Sequence, residues 1–272
     1  MLNWRIILYC VCFLSAPLSA SFSVSLSADE YEDIVSHEAI YNIDLWANTA
    51  SSAVESVNGK TFYSLLRDCD GWHSTEKYAI TFLLSEGQTS EFVSIYDIWE
   101  SHQGDSFSFN IKEESSFDGK KSYEGFANLF AGYGEAKFFG DADGTLELPS
   151  DTVFPLKHLV MLIQQAEAGS RVHQSHLFIG GETDDAQYFT STLIGNARTI
   201  APTIDMGALA EESLWPLRVA YFEPDANDAE PEYEIEFLIQ SNGIIRSYIV
   251  DYGDFSMRAM MESFKPLDAE TC

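Results

Sequence analysis

His37-Glu38-Ala39-Ile40-Tyr41-Asn42-Ile43-Asp44-Leu45 alternates between core-seeking and water-seeking side chains along its length. Successive side chains of an extended chain point to opposite faces, so this pattern predicts a strand with one face buried and one wet. The same alternation recurs over 61–66, 78–84, 92–100, 107–111 and 123–130. Turn-forming residues separate most of these runs: Asn58-Gly59, Ser85-Glu86-Gly87, Gln103-Gly104 and Asp118-Gly119. A spacing of roughly 10–15 residues suits antiparallel hairpins and leaves no room for the helices of βαβ units. A second set of strands is expected at 172–179, 187–194, 215–222, 233–240 and 244–250, the last two flanking the hairpin signal Ser241-Asn242-Gly243. The fold class is therefore mostly β and antiparallel.

Two helices are expected to interrupt the strands. Pro155 suits a first helical position, with Thr152 or Val153 entering the turn and Gly169 following the end. Within 155–168, Leu159, Leu162, Ile163 and Ala166 recur at helical spacing and should pack on the concave side of a curved sheet. A short C-terminal helix is expected over 256–264, with Ser256 as N-cap, Met257, Met260, Met261 and Phe264 as its apolar stripe, Glu262 and Lys265 outward, and Pro266 as the stop. A methionine stripe of this kind is ordinary core more often than a promiscuous binding surface. The acidic loop 223–232 should be a solvated connection.

The chain carries 43 acidic against 15 basic residues, a formal charge of −28, which would repel a nucleic acid or an anionic membrane surface. With 19 Phe, 13 Tyr and 5 Trp there is ample aromatic mass to fill a core. Residues 1–20 read as a cleavable export signal: Arg5, an apolar run from Ile6 to Leu14, then small residues to Ala20, after which cleavage is expected. The apolar run is shorter than the roughly 20 residues of a spanning helix, so stable membrane insertion is not expected. The expected organisation is a signal over 1–20, a lead of low order over 21–35 and a single β domain over 36–272. Cys10 and Cys12 would leave with the signal, and Cys69 and Cys272 would remain. An exported protein meets an oxidising compartment, where these two can bridge; a buried free Cys69 with an unpaired Cys272 is the alternative.

No local pattern marks an active site. Asp70, Gly71 and Trp72 after Cys69 read as a tight turn packed under the indole, with a catalytic Asp70 as the competing reading. His173 and His176 lie an odd number of residues apart in a predicted strand, hence on opposite faces, and no third ligand stands at zinc spacing. Asp141-Ala142-Asp143-Gly144 lacks the glycine placement of a calcium loop and reads as a β-turn, as does Gly180-Gly181. No Gly-x-Ser-x-Gly elbow is present. No metal and no cofactor are expected.

Four motifs occur in order: Cys69-Asp70-Gly71-Trp72; Trp99-Glu100-Ser101; Leu148-Pro149-x-x-Thr152-x-Phe154-Pro155-x-x-His158; and Asp251-Tyr252-Gly253-Asp254-Phe255, followed by Cys272. As an ordered set spanning about residues 36 to 272 they resemble the EipB family of α-proteobacterial cell-envelope integrity proteins. The resemblance implies a periplasmic protein whose strands wind into a β-spiral or semi-open barrel, with a disulfide joining Cys69 to Cys272. It implies support of envelope integrity with no established enzymatic activity, and an architecture like that of periplasmic lipoprotein carriers, which is weak evidence of function. Three functions follow for testing: a binding protein for a lipid or lipoprotein acyl chain or for a periplasmic protein partner, a scaffold without ligand, and a hydrolase of an envelope polymer. An apolar cavity favours the first, an exposed apolar patch the second, and a cleft with close-set acids the third.

Overall fold

The computed structural model describes residues 31–211, 213–224, 230–270 and 272. The expected signal and residues 21–30 of the lead lie outside the described residues. The end of the lead is part of the core: Tyr31 and Ile34 are buried against Trp72 and the helix.

Eight strands form the first meander: β1 (His37–Asn48), β2 (Val54–Arg67), β3 (Gly71–Leu84), β4 (Thr89–Ser101), β5 (Ser106–Ser115), β6 (Gly119–Phe130), β7 (Tyr133–Gly140) and β8 (Gly144–Leu148). Each pairs antiparallel with the next. After β9 (Thr152–Val153) and helix α1 (Pro155–Glu167) come β10 (Val172–Phe178), β11 (Gln187–Ile194) and β12 (Arg198–Thr199). The chain then continues through β13 (Ser213–Phe222), β14 (Tyr233–Ile239), β15 (Ile245–Asp251) and β16 (Phe255–Pro266). These strands make one 16-stranded sheet, in which β16 lies between β15 and β1 and joins the two halves. The two ends of the strand order are β8 and β9, which only Pro149, Ser150 and Asp151 separate in sequence. The sheet therefore rolls round until its own edges meet, a nearly closed barrel.

Aromatic packing holds the seam. Phe154, leading into α1, and Phe178, at the end of β10, insert among Phe107, Phe109 and Phe138 of β5 and β7. The Phe107 and Phe154 rings stack at 5.0 Å, and Phe178 meets Phe107 edge-on at 5.6 Å. Offset and edge-to-face contacts of this kind add to the apolar area they bury.

Helix α1 lies inside the roll. Leu156, Val160, Leu162, Ile163 and Ala166 are buried with Leu65 of β2, Trp72 of β3 and Leu217, Val219 and Ile239 of β13 and β14, while Leu159 is half-buried beside them. The expected helix is thus present and plugs one end of the barrel. Thr152 and Val153 are a short strand parallel to β10 and no part of a cap. Gly169, at φ +77°, ends the helix in the left-handed region that glycine enters freely.

Two expectations are corrected. Residues 256–264 are not a helix but the centre of β16, which pairs along its length with β1 and also with β15. Met257, Ala259 and Met261 are buried and Met260 is exposed, so the working period is two, not the helical spacing that the methionines also fit. Two neighbouring strands with open hydrogen-bonding edges outweighed the intrinsic helix preference of Met, Ala and Glu. Asn58-Gly59 is likewise no turn but the middle of β2, where Gly59 pairs with Ile43 and Ile80. A Cβ there would stand 2.6 Å from the Ala79 carbonyl oxygen, so glycine permits a close approach of strands. The Ser241-Asn242-Gly243 hairpin and the Asp141–Gly144 turn are as expected.

Candidate functional site

Three of the four motifs that carried the resemblance meet at one node, together with Cys272. Cys69 and Cys272 are bonded across 203 residues, tying the end of the described chain to the β2–β3 turn. That turn is organised by Asp68, whose Oδ1 accepts the N–H groups of Asp70 and Gly71. Its Oδ2 stands 3.0 Å from His73 Nε2. Asp70 itself is exposed. Gly71 faces Ser101 and Trp72 faces Glu100 across the β3–β4 ladder, so the first two motifs are cross-strand partners. A Cβ on Gly71 would lie 2.3 Å from the Glu100 carbonyl oxygen and 2.8 Å from the Trp99 ring. Trp72 is buried against Tyr31, with His102 edge-on at 6.3 Å and the Arg67 guanidinium 5.8 Å from its ring centre.

Glu100 connects this node to the helix. Its carboxylate accepts the N–H groups of Leu156 and Lys157, each at 2.9 Å, from the first turn after Pro155. It thus satisfies donors that the helix leaves open and that Phe154 has no side chain to cap. Burial pushes the Glu100 carboxyl up to about 7, the two N–H donors and Lys157 opposing the rise. His158 is buried one turn along, with Nε2 3.5 Å from Thr190 Oγ1; desolvation lowers it to about 3 and keeps it neutral. His173 and His176 do lie on opposite faces of β10, bonded to Ser175 and Asp151 respectively.

Asp251-Tyr252-Gly253-Asp254-Phe255 forms the β15–β16 turn. Asp251 Oδ1 accepts the Gly253 N–H, Gly253 stands at φ +85°, and Ser256 pairs with Asp251 instead of capping a helix. The Tyr252 ring stacks on Phe255 at 5.1 Å. Through Tyr252 this turn lines a cavity that Cys69, Trp72 and Cys272 do not line, so the expected motif residues do not form a single site.

That cavity, about 880 Å³, occupies the part of the lumen that α1 leaves open. Its walls are mostly apolar and aromatic, including Ile80, Phe82, Phe92, Ile98 and Met257, with Pro155 among the residues at its closed end. Among the charged groups lining it, Asp118, Lys121, Glu182 and Asp185 come from loops and strand ends. Three others stand within strands: Glu113 on β5, Arg258 on β16 and Glu76 in the middle of β3. Cross-strand register places Tyr63 of β2 and Tyr96 of β4 directly beside Glu76 on the same face. Its Oε1 accepts the Tyr78 hydroxyl at 2.6 Å. Enclosure raises the Glu76 carboxyl above its ordinary range, with the Tyr78 hydrogen bond in partial opposition. Its charge in turn helps to raise the phenols of Tyr41, Tyr63, Tyr78, Tyr96, Tyr221 and Tyr248, for each of which desolvation is the larger cause. Sequence reasoning missed Glu76, and it named Glu100 only as part of the Trp99-Glu100-Ser101 motif, with no role assigned. Each is an acid in phase with apolar neighbours on an alternating strand, Tyr78-Ile80-Phe82 for one and Tyr96-Ile98 for the other, and that phase was the available signal.

A rolled antiparallel sheet with a helix plugging one end and an apolar lumen at the other defines a β-barrel-like protein with an interior cavity. The chain belongs to the EipB-like family, whose model matches residues 28–268. It is 29% identical over 246 residues to the cell envelope integrity protein EipB of Brucella abortus, covering 89% of this chain and 88% of that one. It also superposes with a TM-score of 0.79, at 28% identity, on the crystal structure of a β-barrel-like protein of a domain of unknown function from Brucella abortus. That alignment covers 86% of this chain and 99% of the other.

Proposed function

We propose that this protein is a non-enzymatic periplasmic factor that supports the cell envelope by holding an apolar chain, such as a lipid or lipoprotein acyl group, in its lumen. The observation that carries this reading is the cavity of about 880 Å³ with its largely aliphatic and aromatic walls. Pockets of this size and lining are the usual seats of small apolar ligands. The Cys69–Cys272 bridge fits an oxidising compartment, and the name of the Brucella relative supports the envelope role. The interior acids also fit a binding floor better than an acid–base pair. Glu76 and Glu113 stand on β3 and β5 with β4 between them, each bonded by a tyrosine hydroxyl.

The test is a titration of purified protein with neutral fluorescent acyl probes of increasing length. Saturable binding should tighten by about fourfold for each added methylene until the cavity is filled. No binding at any length by the folded protein would favour the second reading, a docking scaffold. One observation supports that alternative: Phe126, Phe130, Tyr133 and Phe139 are exposed together on the outside of β6 and β7, with Phe130 and Tyr133 stacked at 4.9 Å.

A further inference from the structure

We infer that the lumen selects a cation: Glu76 and the tyrosine rings around it form a seat for the ammonium group of an amphiphile whose apolar body lies along the cavity wall. This inference rests on the lumen-binding reading and adds the chemistry of the ligand's polar end.

Four observations converge on it. The Glu76 side chain is turned into the cavity from mid-strand, where alternation would place an apolar group. The described basic groups that line the same cavity are engaged elsewhere: Lys121 with Glu182, and Arg258 with Asp44 while its guanidinium lies 4.6 Å from the Trp46 ring centre. The Tyr78 hydroxyl, which holds one carboxylate oxygen, is a neutral partner and leaves the negative charge uncompensated. Tyrosines flank Glu76 on β2 and β4, and Tyr221 on β13 feels its charge from across the roll. Tyrosine side chains grouped around a lumen carboxylate, with a second acid, Glu113, bonded to Tyr96 nearby, are the chemistry that recognises alkylammonium groups, through aromatic rings and charge together.

A carboxylate-headed or phosphate-headed ligand of the same length meets the opposite situation, since its charge would be buried beside Glu76. The formal charge of −28 over the whole chain acts in the same direction, concentrating cations near the mouth.

The experiment compares decyltrimethylammonium, decanol and decanoate below their aggregation limits by calorimetry, with wild-type protein and Glu76→Gln. Wild type should prefer the ammonium over the alcohol by about tenfold or more, and the alcohol over the carboxylate. Glu76→Gln should lose the ammonium preference and retain decanol. Equal affinity for all three compounds would overturn the cation seat and leave the apolar lumen standing, whereas no binding of any would overturn the lumen reading itself. An ammonium preference that survives in Glu76→Gln would assign it to the other carboxylates, Glu113 in the lumen or those of the exterior, and overturn the role of Glu76. A salt series on wild type decides the matter independently of how the variant folds. Attraction to the acidic exterior is screened away, and an enclosed seat keeps its preference at high salt.

Discussion

Replacing Glu100 with glutamine should make the protein more stable in mild alkali and remove part of its pH dependence. The buried Glu100 carboxyl is pushed from an ordinary value of 4.5 to about 7 in the fold. A folded-state value above the unfolded one means that, between the two, the folded state binds more protons. Stability from this group is therefore fully present below about pH 4.5 and is lost as pH rises through about 7. A gap of this size corresponds to about 3 kcal/mol. Glutamine has the shape of the protonated acid and its oxygen can still accept one N–H from the first turn of α1. The variant should match wild type near pH 4.5 and exceed it by up to about 3 kcal/mol at pH 8.5. Urea unfolding at a series of pH values measures this, and subtracting the two curves cancels every other titrating group. Wild type remaining the more stable protein at pH 8.5 would refute the reasoning, since the two N–H bonds to the charged carboxylate would then outweigh its desolvation.

Other perturbations test the frame of the barrel. Cys272→Ser opens a loop of 203 residues and should cost about 5 kcal/mol in the chain-entropy model, seen as a lower Tm; mass spectrometry of the unreduced wild type should show the two missing hydrogens. Phe178→Ala empties the centre of the seam cluster and should cost about 3–5 kcal/mol, with faster proteolysis near the β8–β9 junction; unchanged stability would mean the seam does not depend on these rings. Leu162→Asp places a carboxylate on the buried face of α1 and should cost several kcal/mol by denaturant unfolding, whereas a variant with the wild-type midpoint would show that the helix is not the plug of the barrel.

The strands were legible because most have one face in the lumen and one in water, which writes period two into the sequence, as His37–Asp44 does. What was not legible depended on neighbours distant in the chain. Residues 257–261 satisfy both periods, and only the open edges of β1 and β15 decide between them. Gly59 reads as a turn until the strands on either side of it are known. The ordered motifs located the disulfide node, Glu100 included, and the β15–β16 turn, yet they gave Glu100 no role, and Glu76, which gives the lumen its electrostatic character, has no motif around it. The closing of the seam by Phe154 and Phe178 could not be read from local sequence either, because their partners lie on β5 and β7.

The position of β16 has a kinetic meaning. Both meanders can form hairpin by hairpin from contacts close in sequence, but the strand that unites them comes last in chain order among the described strands. Until it docks, β1 and β15 each present a bare edge, and the earliest strand must wait for the latest before either half has its final neighbour. A long-range pairing of this kind pays its loop-closure entropy late, which slows folding and leaves sticky edges open for the duration. A truncation that removes β16 would leave two half-sheets with bare edges in place of one smaller barrel.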